Sequence, residues 1–436
     1  MPPSGKRTKR ASQHAQRNIE TTVLPNGVRV ISEWMPHVRS VSVGIWLDAG
    51  SRRESPVESG LSHFIEHMVF KGTARRSAEE IARSVDSLGG NLDAFTGKEL
   101  VCFNVKVLDE HLDQAFDIIA DMVLHPAFRE DDIEKEKGVI LEELKMEVDN
   151  PEYLLHETFS ANFWRGHALG QSIIGTKQTI RSFNGKMVRD FYKAIYTPRN
   201  IIITAAGHVP HQRLVEIVSG HFASLPKRAA GAPAKAPVPQ ARLIVKEKSS
   251  LEQVHLILGV PAHPVAHPRR FSAYVMNTLL GGSMSSRLFQ NIREQRGLVY
   301  SVFSELNAYR DSGVLATYAG TSRQALPEVI DLIRAEFGKM KNEPVPADEL
   351  ERGKNHLKGS VMLGLESTSS RMTNLARQEL YFGRFISLDE VVAEIDAVTA
   401  ESVQQTAVEL FKTENIAAAV LGRLPGFRLR REDLAC

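Results

Sequence analysis

The chain has 436 residues, of which 42% are hydrophobic and 24% charged, so it is long enough for about two or three globular domains. Its formal net charge of +2 leaves no basic surplus, and we expect no nucleic-acid partner. Its two cysteines, Cys102 and Cys436, leave no room for a disulfide framework or a cysteine-based zinc site. No apolar run reaches the roughly 18 residues of a membrane span, so we expect no membrane partner.

The first 18 residues carry basic side chains and no acid, and they lack the apolar core of a secretory signal. We predict a short disordered basic arm over residues 1–18. The alternative is a mitochondrial presequence, which would place the protein in the mitochondrial matrix rather than in the cytoplasm.

Apolar periodicity and turn residues predict alternating strands and helices after this arm. The predicted order is strand, turn and strand over 21–34, a strand over 41–48, helices near 61–72 and 77–88, a hairpin over 91–107, and helices over 110–124 and 131–148. Ser77 with Glu79 and Glu80 after it is typical of a helix start. Ser59 or Ser62 is the predicted cap of the preceding helix, and Gly72 is its predicted stop.

A pentapeptide in the first of these helices, His63-Phe64-Ile65-Glu66-His67, has the composition of a metal site with a base beside it. Histidines at i and i+4 lie one helical turn apart, which suits two imidazole ligands of zinc. Glu66 shares their face but is adjacent to His67, so it is better placed to take a proton than to bind the metal. The predicted core face of this helix consists of Leu61, Phe64, Ile65 and Met68.

A third ligand is predicted on the long helix over 131–148, whose apolar residues Ile133, Val139, Ile140 and Leu144 form a stripe. Carboxylates beside an apolar stripe are costly unless they are paired or bind a metal. Glu143 lies near the stripe whereas Glu142 points away, so Glu143 is the better candidate; the alternative is a solvated acidic face. Glu136, two turns earlier, could support a histidine ligand by a hydrogen bond. Gly138 predicts a close approach by another element.

A Pro/Ala-rich segment over 226–242 predicts a linker between an N-terminal domain, 19–225, and a C-terminal domain, 243–425, with a tail over 426–436. The second half repeats the first, because 180–207 aligns with 395–422 without a gap. Segment 61–73 also aligns with 271–283. In that alignment Ala273, Met276 and Asn277 replace the two histidines and the glutamate, so we expect a metal site in the N-terminal domain alone.

The segment HFIEHMVFKGT over 63–73 resembles the signature of the inverted-motif zinc peptidases, the pitrilysin/insulinase family M16. The resemblance extends over about 19–424 and is strongest to the branch with the mitochondrial processing peptidase β subunit and its bacterial relatives. It implies that His63, His67 and Glu143 bind one zinc ion and that Glu136 supports them.

Further segments extend the resemblance into both domains. The family carries an arginine and a tyrosine that face the substrate, and they match Arg293 and Tyr300. Segment 89–96 resembles the family's substrate-binding edge strand, which implies substrate contacts at the residues Asn91, Ala94, Phe95 and Thr96. Asp93 stands where the family has asparagine, so a side-chain contact from this position is not implied.

The resemblance implies an α+β fold of two similar α/β sandwich domains, each a mainly antiparallel sheet covered by helices on one face, which enclose a chamber. It implies a zinc metalloendopeptidase acting on extended peptides, assembled as a homodimer, in the bacterial cytoplasm. The alternatives are a non-catalytic scaffold subunit of the same fold, a protein that uses zinc only structurally, and a presequence-processing peptidase in mitochondria.

Overall fold

A computed structural model describes residues 17–227 and 235–436 of the chain. The predicted basic arm therefore lies, up to residue 16, outside the described residues, as do residues 228–234 of the predicted linker. In the described part, no helix is long and apolar enough to cross a membrane.

Two mixed, mainly antiparallel sheets form the centre of the molecule, one in each half of the chain. The first has the strand order β1-β2-β6-β3-β5-β4, formed by β1 Asn18–Val23, β2 Arg29–Trp34, β3 Ser40–Leu47, β4 Asn91–Thr96, β5 Val101–Leu108 and β6 Ile201–Gly207. The second has the order β7-β11-β8-β10-β9, formed by β7 Leu243–Glu247, β8 Val254–Ala262, β9 Val299–Ala308, β10 Gly313–Thr321 and β11 Ala417–Gly422. Only the β2–β6 and β7–β11 pairs are parallel among the described strands.

Helices follow the strands in a similar order in both halves. The first half has α1 Leu61–Val69, α2 Ala78–Ser87, α3 Leu112–Leu124, α4 Glu130–Asp149, α5 Pro151–Phe163, α6 Lys177–Ser182, α7 Gly185–Ile195 and α8 His211–Phe222. The second has α9 Arg270–Leu280, α10 Leu326–Asn342, α11 Ala347–Leu363, α12 Thr368–Phe382, α13 Leu388–Asp396 and α14 Ala400–Leu410. Each half has a large apolar core between its own helices and one face of its own sheet.

The other face of each sheet is covered by a helix from the opposite half. Helix α5 packs Phe159 against the second sheet, where Gly259 makes room for its ring, since a Cβ there would lie 2.4 Å from Phe159 Cζ. Helix α12 packs Met372 against the first sheet beside Gly44. This exchange differs from the expected cover on one face only, and it joins the two halves through two apolar interfaces.

The predicted class, an α+β fold of two similar halves with mixed sheets, is confirmed. The predicted repeat also agrees with the structure, because it superimposes α7 and β6 on α14 and β11, and α1 on α9. Gly207 and Gly422, which this repeat pairs, both have positive φ, at 137° and 154°. Residues 426–436, predicted as a tail, pack on the second core through the fully buried Leu434.

Two predictions for α4 are wrong. Val139 is 51% exposed, so the apolar stripe of this helix is narrower than the sequence indicated and consists of the buried Ile133 and Ile140 and the partly buried Leu144. Gly138 faces open space, since a Cβ there would meet no atom of the described residues within 4 Å. The close approach occurs in the other half, at Gly353 of α11, where a Cβ would lie 2.5 Å from Leu279 Cδ2.

Candidate metal centre

Packing of the core face of α1 fixes the position of the pentapeptide, because the side chains of Leu61, Phe64, Ile65 and Met68 are fully buried. The predicted serine cap is wrong. The N-cap is Gly60, with φ at 96°, and neither Ser59 nor Ser62 makes a side-chain cap bond. The carboxylate of Glu54 instead accepts from the backbone N–H groups of Gly60 and Ser62, at 2.8 and 2.7 Å. The N-terminus of α1 is therefore capped by a buried carboxylate from the preceding loop.

Three predicted ligands converge on one point between α1 and α4. Glu143 Oε1 lies 3.7 Å from His63 Nε2, and Glu143 Oε2 lies 3.7 Å from His67 Nε2. One donor atom from each of the three side chains falls within 4.8 Å of the others. Neighbouring donors of a tetrahedral zinc ion lie roughly 3.4 Å apart, so the cluster has the dimensions of a zinc site.

The hydrogen bonds around this cluster leave ligand atoms available for a metal. Glu143 Oε2 is buried and has no hydrogen-bond partner among the described residues. His67 Nδ1 lies 2.8 Å from Glu136 Oε1, and a carboxylate partner makes this nitrogen the donor, so Nε2 keeps its lone pair for a metal. Unpaired buried acceptors are costly unless a cation satisfies them, and the donor set of two imidazoles and one carboxylate suits zinc.

Glu136 forms a hydrogen bond with His67 and is itself fixed by an ion pair. Its second oxygen forms a 2.6 Å ion pair with Lys71 Nζ, one turn beyond His67. Burial raises the pKa of Glu136, but hydrogen bonds from His67 and Lys71 outweigh it and keep this pKa below its ordinary value. The sequence pattern predicted the role of Glu136 but not that of Lys71, although the position of Lys71 four residues after His67 could have indicated the contact.

The two histidines have opposite electrostatic surroundings. Burial, together with the charge of His67, lowers the pKa of His63 to about 4, so this imidazole is neutral near pH 7. Burial also lowers the pKa of His67, but the hydrogen bond and charge of Glu136 and the charge of Glu143 outweigh it and raise this pKa overall. A neutral imidazole is the form that binds a metal.

Glu66 lies beside the cluster without joining it. Its Oε2 accepts a hydrogen bond of 2.5 Å from Thr96 Oγ1 on β4. Burial is the main cause that raises the pKa of Glu66, and the charge of Glu143 adds to it, while the bond from Thr96 opposes it. A carboxylate with a raised pKa beside the three predicted metal ligands is suited to proton transfer.

The remaining acids and histidines stay outside the cluster. Glu142 is exposed and forms a 2.6 Å ion pair with Lys145, as expected for a residue pointing away from the stripe. His263 and His267 stack with ring centroids 3.9 Å apart in a loop after β8, and no metal-type cluster of the described residues includes them.

The other predicted site residues lie in two places. Asn91, Ala94, Phe95 and Thr96 belong to β4, which forms an outer edge of the first sheet. Arg293 stacks its guanidinium 5.7 Å from the ring centre of Tyr300, whose side chain is 79% exposed at the start of β9. In the part of the chain that the structure describes, neither of these two makes a hydrogen bond or ion pair to the His63, His67 and Glu143 cluster.

Two family models match the chain. One, described as insulinase, peptidase family M16, covers residues 29–177, and the other, described as the peptidase M16 inactive domain, covers residues 182–357. A Bacillus subtilis protein named an uncharacterized zinc protease is 42% identical over 93% of this chain and 100% of its own length. A Streptomyces coelicolor protein with the same description is 37% identical over 95% of this chain and 89% of its own length.

Solved structures show the same fold at lower identity. A protease from Helicobacter pylori superimposes with a TM-score of 0.87 at 24% identity, over 93% of this chain and 99% of that one. A Pseudomonas fluorescens structure described as a peptidase M16 inactive domain has a TM-score of 0.87 at 20% identity, over 93% and 98% of the two chains.

Proposed function

Since this chain belongs to peptidase family M16, we propose that it is a zinc-dependent metalloendopeptidase that hydrolyses extended peptides or unfolded protein segments. The relatives named zinc proteases support both the zinc ion and the class of reaction. One observation carries the proposal for this chain: two imidazoles and a carboxylate converge within 4.8 Å, and a second carboxylate, that of Glu66, stands beside them outside the ligand set.

In this proposal His63, His67 and Glu143 hold one Zn²⁺ ion, and Glu136 fixes the ring of His67. Zinc, when bound, supplies a Lewis acid that activates a water molecule and polarises the scissile carbonyl. Glu66 takes the proton of the attacking water on its carboxylate and then delivers it to the leaving amine nitrogen. Three protein ligands leave a position open for this chemistry, whereas a structural zinc site would have four.

The substrate is proposed to add as an extended strand to the outer edge of β4, over Asn91 to Thr96. Backbone hydrogen bonds to an edge strand hold a peptide with little demand on its sequence, which suits unfolded segments. Tyr300, with Arg293 stacked on it, is proposed to stabilise the tetrahedral oxyanion or to position the carbonyl. Tyr300→Phe should lower kcat by about 10²-fold without releasing zinc; unchanged kcat would remove Tyr300 from the mechanism.

Metal removal tests the proposal against its two rivals. Cleavage of a quenched, unstructured peptide should stop when a chelator removes zinc and return when one equivalent of zinc is added. A scaffold subunit would show no cleavage in any state. A structural zinc ion would leave cleavage in place as long as the chain stays folded, which circular dichroism reports. Activity that persists in a folded, fully zinc-free sample contradicts the proposal.

Assembly and compartment are also proposals. We propose a homodimer in the bacterial cytoplasm; a presequence-processing peptidase in the mitochondrial matrix is the alternative, and the bacterial origin of the named relatives favours the former. Sedimentation velocity of the purified chain should give a dimer at micromolar concentration, and a monomer contradicts the assembly. Detection outside the cytoplasmic fraction of its own cells contradicts the compartment.

A further inference from the structure

Thr96 belongs to two parts of the proposed site, the strand that binds the substrate and the surroundings of the base Glu66. Its backbone belongs to β4, the edge strand proposed for the substrate, and its hydroxyl is the donor to Glu66 Oε2 at 2.5 Å. No other hydrogen bond to the Glu66 carboxylate occurs among the described residues, so Thr96 alone fixes the orientation of this group while its Oε1 stays available.

The base needs such a restraint because of its neighbours. The carboxylates of Glu143 and Asp93 both act on the Glu66 carboxylate with like charge. Like charge favours rotamers that turn the Glu66 carboxylate away from these two groups. A hydrogen bond from a hydroxyl to a charged acceptor is strong enough to select one rotamer.

The strand end that carries Thr96 is itself held in place. The carbonyls of Gly97 and Lys98 accept from the backbone N–H groups of Ser51 and Arg52, at 3.1 and 2.8 Å. The partly buried ammonium of Lys98 donates to the carbonyl of Gln171. The approach is close, since a Cβ on Gly50 would lie 2.2 Å from the carbonyl oxygen of Gly97.

The same turn is in contact with the second half of the molecule. Glu99 binds Arg52 at 2.6 Å and accepts from the backbone N–H of Arg310 at 3.0 Å. Arg52 also binds Asp311 of the second half. The position of the Thr96 hydroxyl is therefore set by a turn that is anchored on three sides.

We propose that Thr96 is a positioning residue that orients the carboxylate of Glu66 for proton transfer, so that the strand that receives the peptide also aligns the base. This inference rests on the proposed function. It assigns the hydroxyl a role in the chemical step, separate from the backbone pairing that binds the peptide.

Substitutions at this position separate the hydroxyl from the strand. Thr96→Val keeps the shape and the β-branched preference for a strand but removes the donor. It should lower kcat by about 10- to 100-fold, because a hydrogen bond to a charged group is lost at the base, and leave KM within about twofold. Thr96→Ser restores the hydroxyl and should recover kcat to within a few-fold of the parent. Zinc content should stay at the parent value in both variants, and both should remain folded at the assay temperature.

Several outcomes would overturn the inference. Parent-level kcat in Thr96→Val contradicts it, as does a Thr96→Ser variant as slow as Thr96→Val, since the hydroxyl would then be irrelevant. A raised KM with unchanged kcat assigns Thr96 to peptide binding instead. If Thr96→Val does not fold, Thr96→Ala provides the same comparison with Thr96→Ser. A parent chain without zinc-dependent cleavage contradicts the proposed function and the inference together, whereas an active parent with an unaffected Thr96→Val contradicts the inference alone.

Discussion

Helix pairs α1–α4 and α9–α11 occupy equivalent places in the two halves, yet only the first carries a polar cluster. In the second half, Ala273 and Met276 are buried at the positions of His63 and Glu66, and Asn277 accepts a hydrogen bond from Ser304. The offset that aligns Ile180 with Ile395 also aligns Gly138 with Gly353. Gly353 lets α11 approach Leu279, whereas Gly138 faces open space.

The comparison shows how one scaffold supports two different interiors. Apolar packing closes the gap between α9 and α11, because the polar residues are absent and a glycine allows contact. Between α1 and α4 the imidazoles and carboxylates occupy the equivalent gap. A buried acceptor without a hydrogen-bond partner, as found there, would be costly in an apolar interior. The gap between α1 and α4 thus holds the polar site residues, whereas the gap between α9 and α11 is closed by apolar packing.

Removing the carboxylate from the first gap should have the largest effect. Glu143→Gln should reduce bound zinc to a small fraction of one equivalent and lower cleavage by about 10³-fold or more, because a neutral amide is a weak zinc ligand. Zinc content by atomic emission and peptide cleavage measure the two effects. Glu142→Gln, at the exposed neighbour paired with Lys145, is the matched control and should behave as the parent. Equal zinc loss in both variants would refute the choice of Glu143.

Adding an imidazole to the second gap should destabilise the protein without creating a site. Ala273 on α9 is 1% exposed, so Ala273→His should lower the free energy of unfolding by about 1–3 kcal/mol through overpacking and an unpaired ring. Urea unfolding measures this loss. Ala393→His, on the exposed side of α13, is the control and should change stability little. A variant that is as stable as the parent would show that the second gap is looser than the structure indicates.

A further predicted effect concerns pH and Glu54, the acid that caps α1. Burial raises the pKa of Glu54 from 4.5 to about 7, so its contribution to stability is full below about pH 4.5 and is lost as pH rises through 7. Between these limits the parent should lose up to about 3 kcal/mol relative to Glu54→Gln. Urea unfolding of both proteins at several pH values, with a chelator present, gives this difference. A constant difference from pH 4.5 to 7 would mean that Glu54 keeps an ordinary pKa.

Local patterns in the sequence predicted much of the site. The 3.6-residue period placed the core face of α1 and separated Glu143 from Glu142, because both depend only on positions within one helix. The start of α2 at Ser77 followed for the same reason, and the structure adds a capping box between Ser77 and Glu80. The repeat of the halves followed from matching apolar and glycine positions.

Long-range features could not be predicted in this way. The acid that caps α1 lies in a preceding loop, and no periodic signal connects Glu54 with Gly60. The exchange of α5 and α12 between the sheets was missed because an apolar helix face does not specify which sheet it covers. Val139 was assigned to a stripe by spacing alone, and its exposure depends on where α4 meets its neighbours.

The central claim is that Glu66 acts on the proton and not on the metal, and Glu66→Gln tests it most directly. Zinc content should remain at the parent value, since Glu66 lies outside the ligand set. Cleavage of the quenched peptide should fall by about 10²- to 10⁴-fold, because the amide cannot accept the proton of the attacking water. Cleavage near the parent rate in a zinc-loaded Glu66→Gln protein would contradict the account.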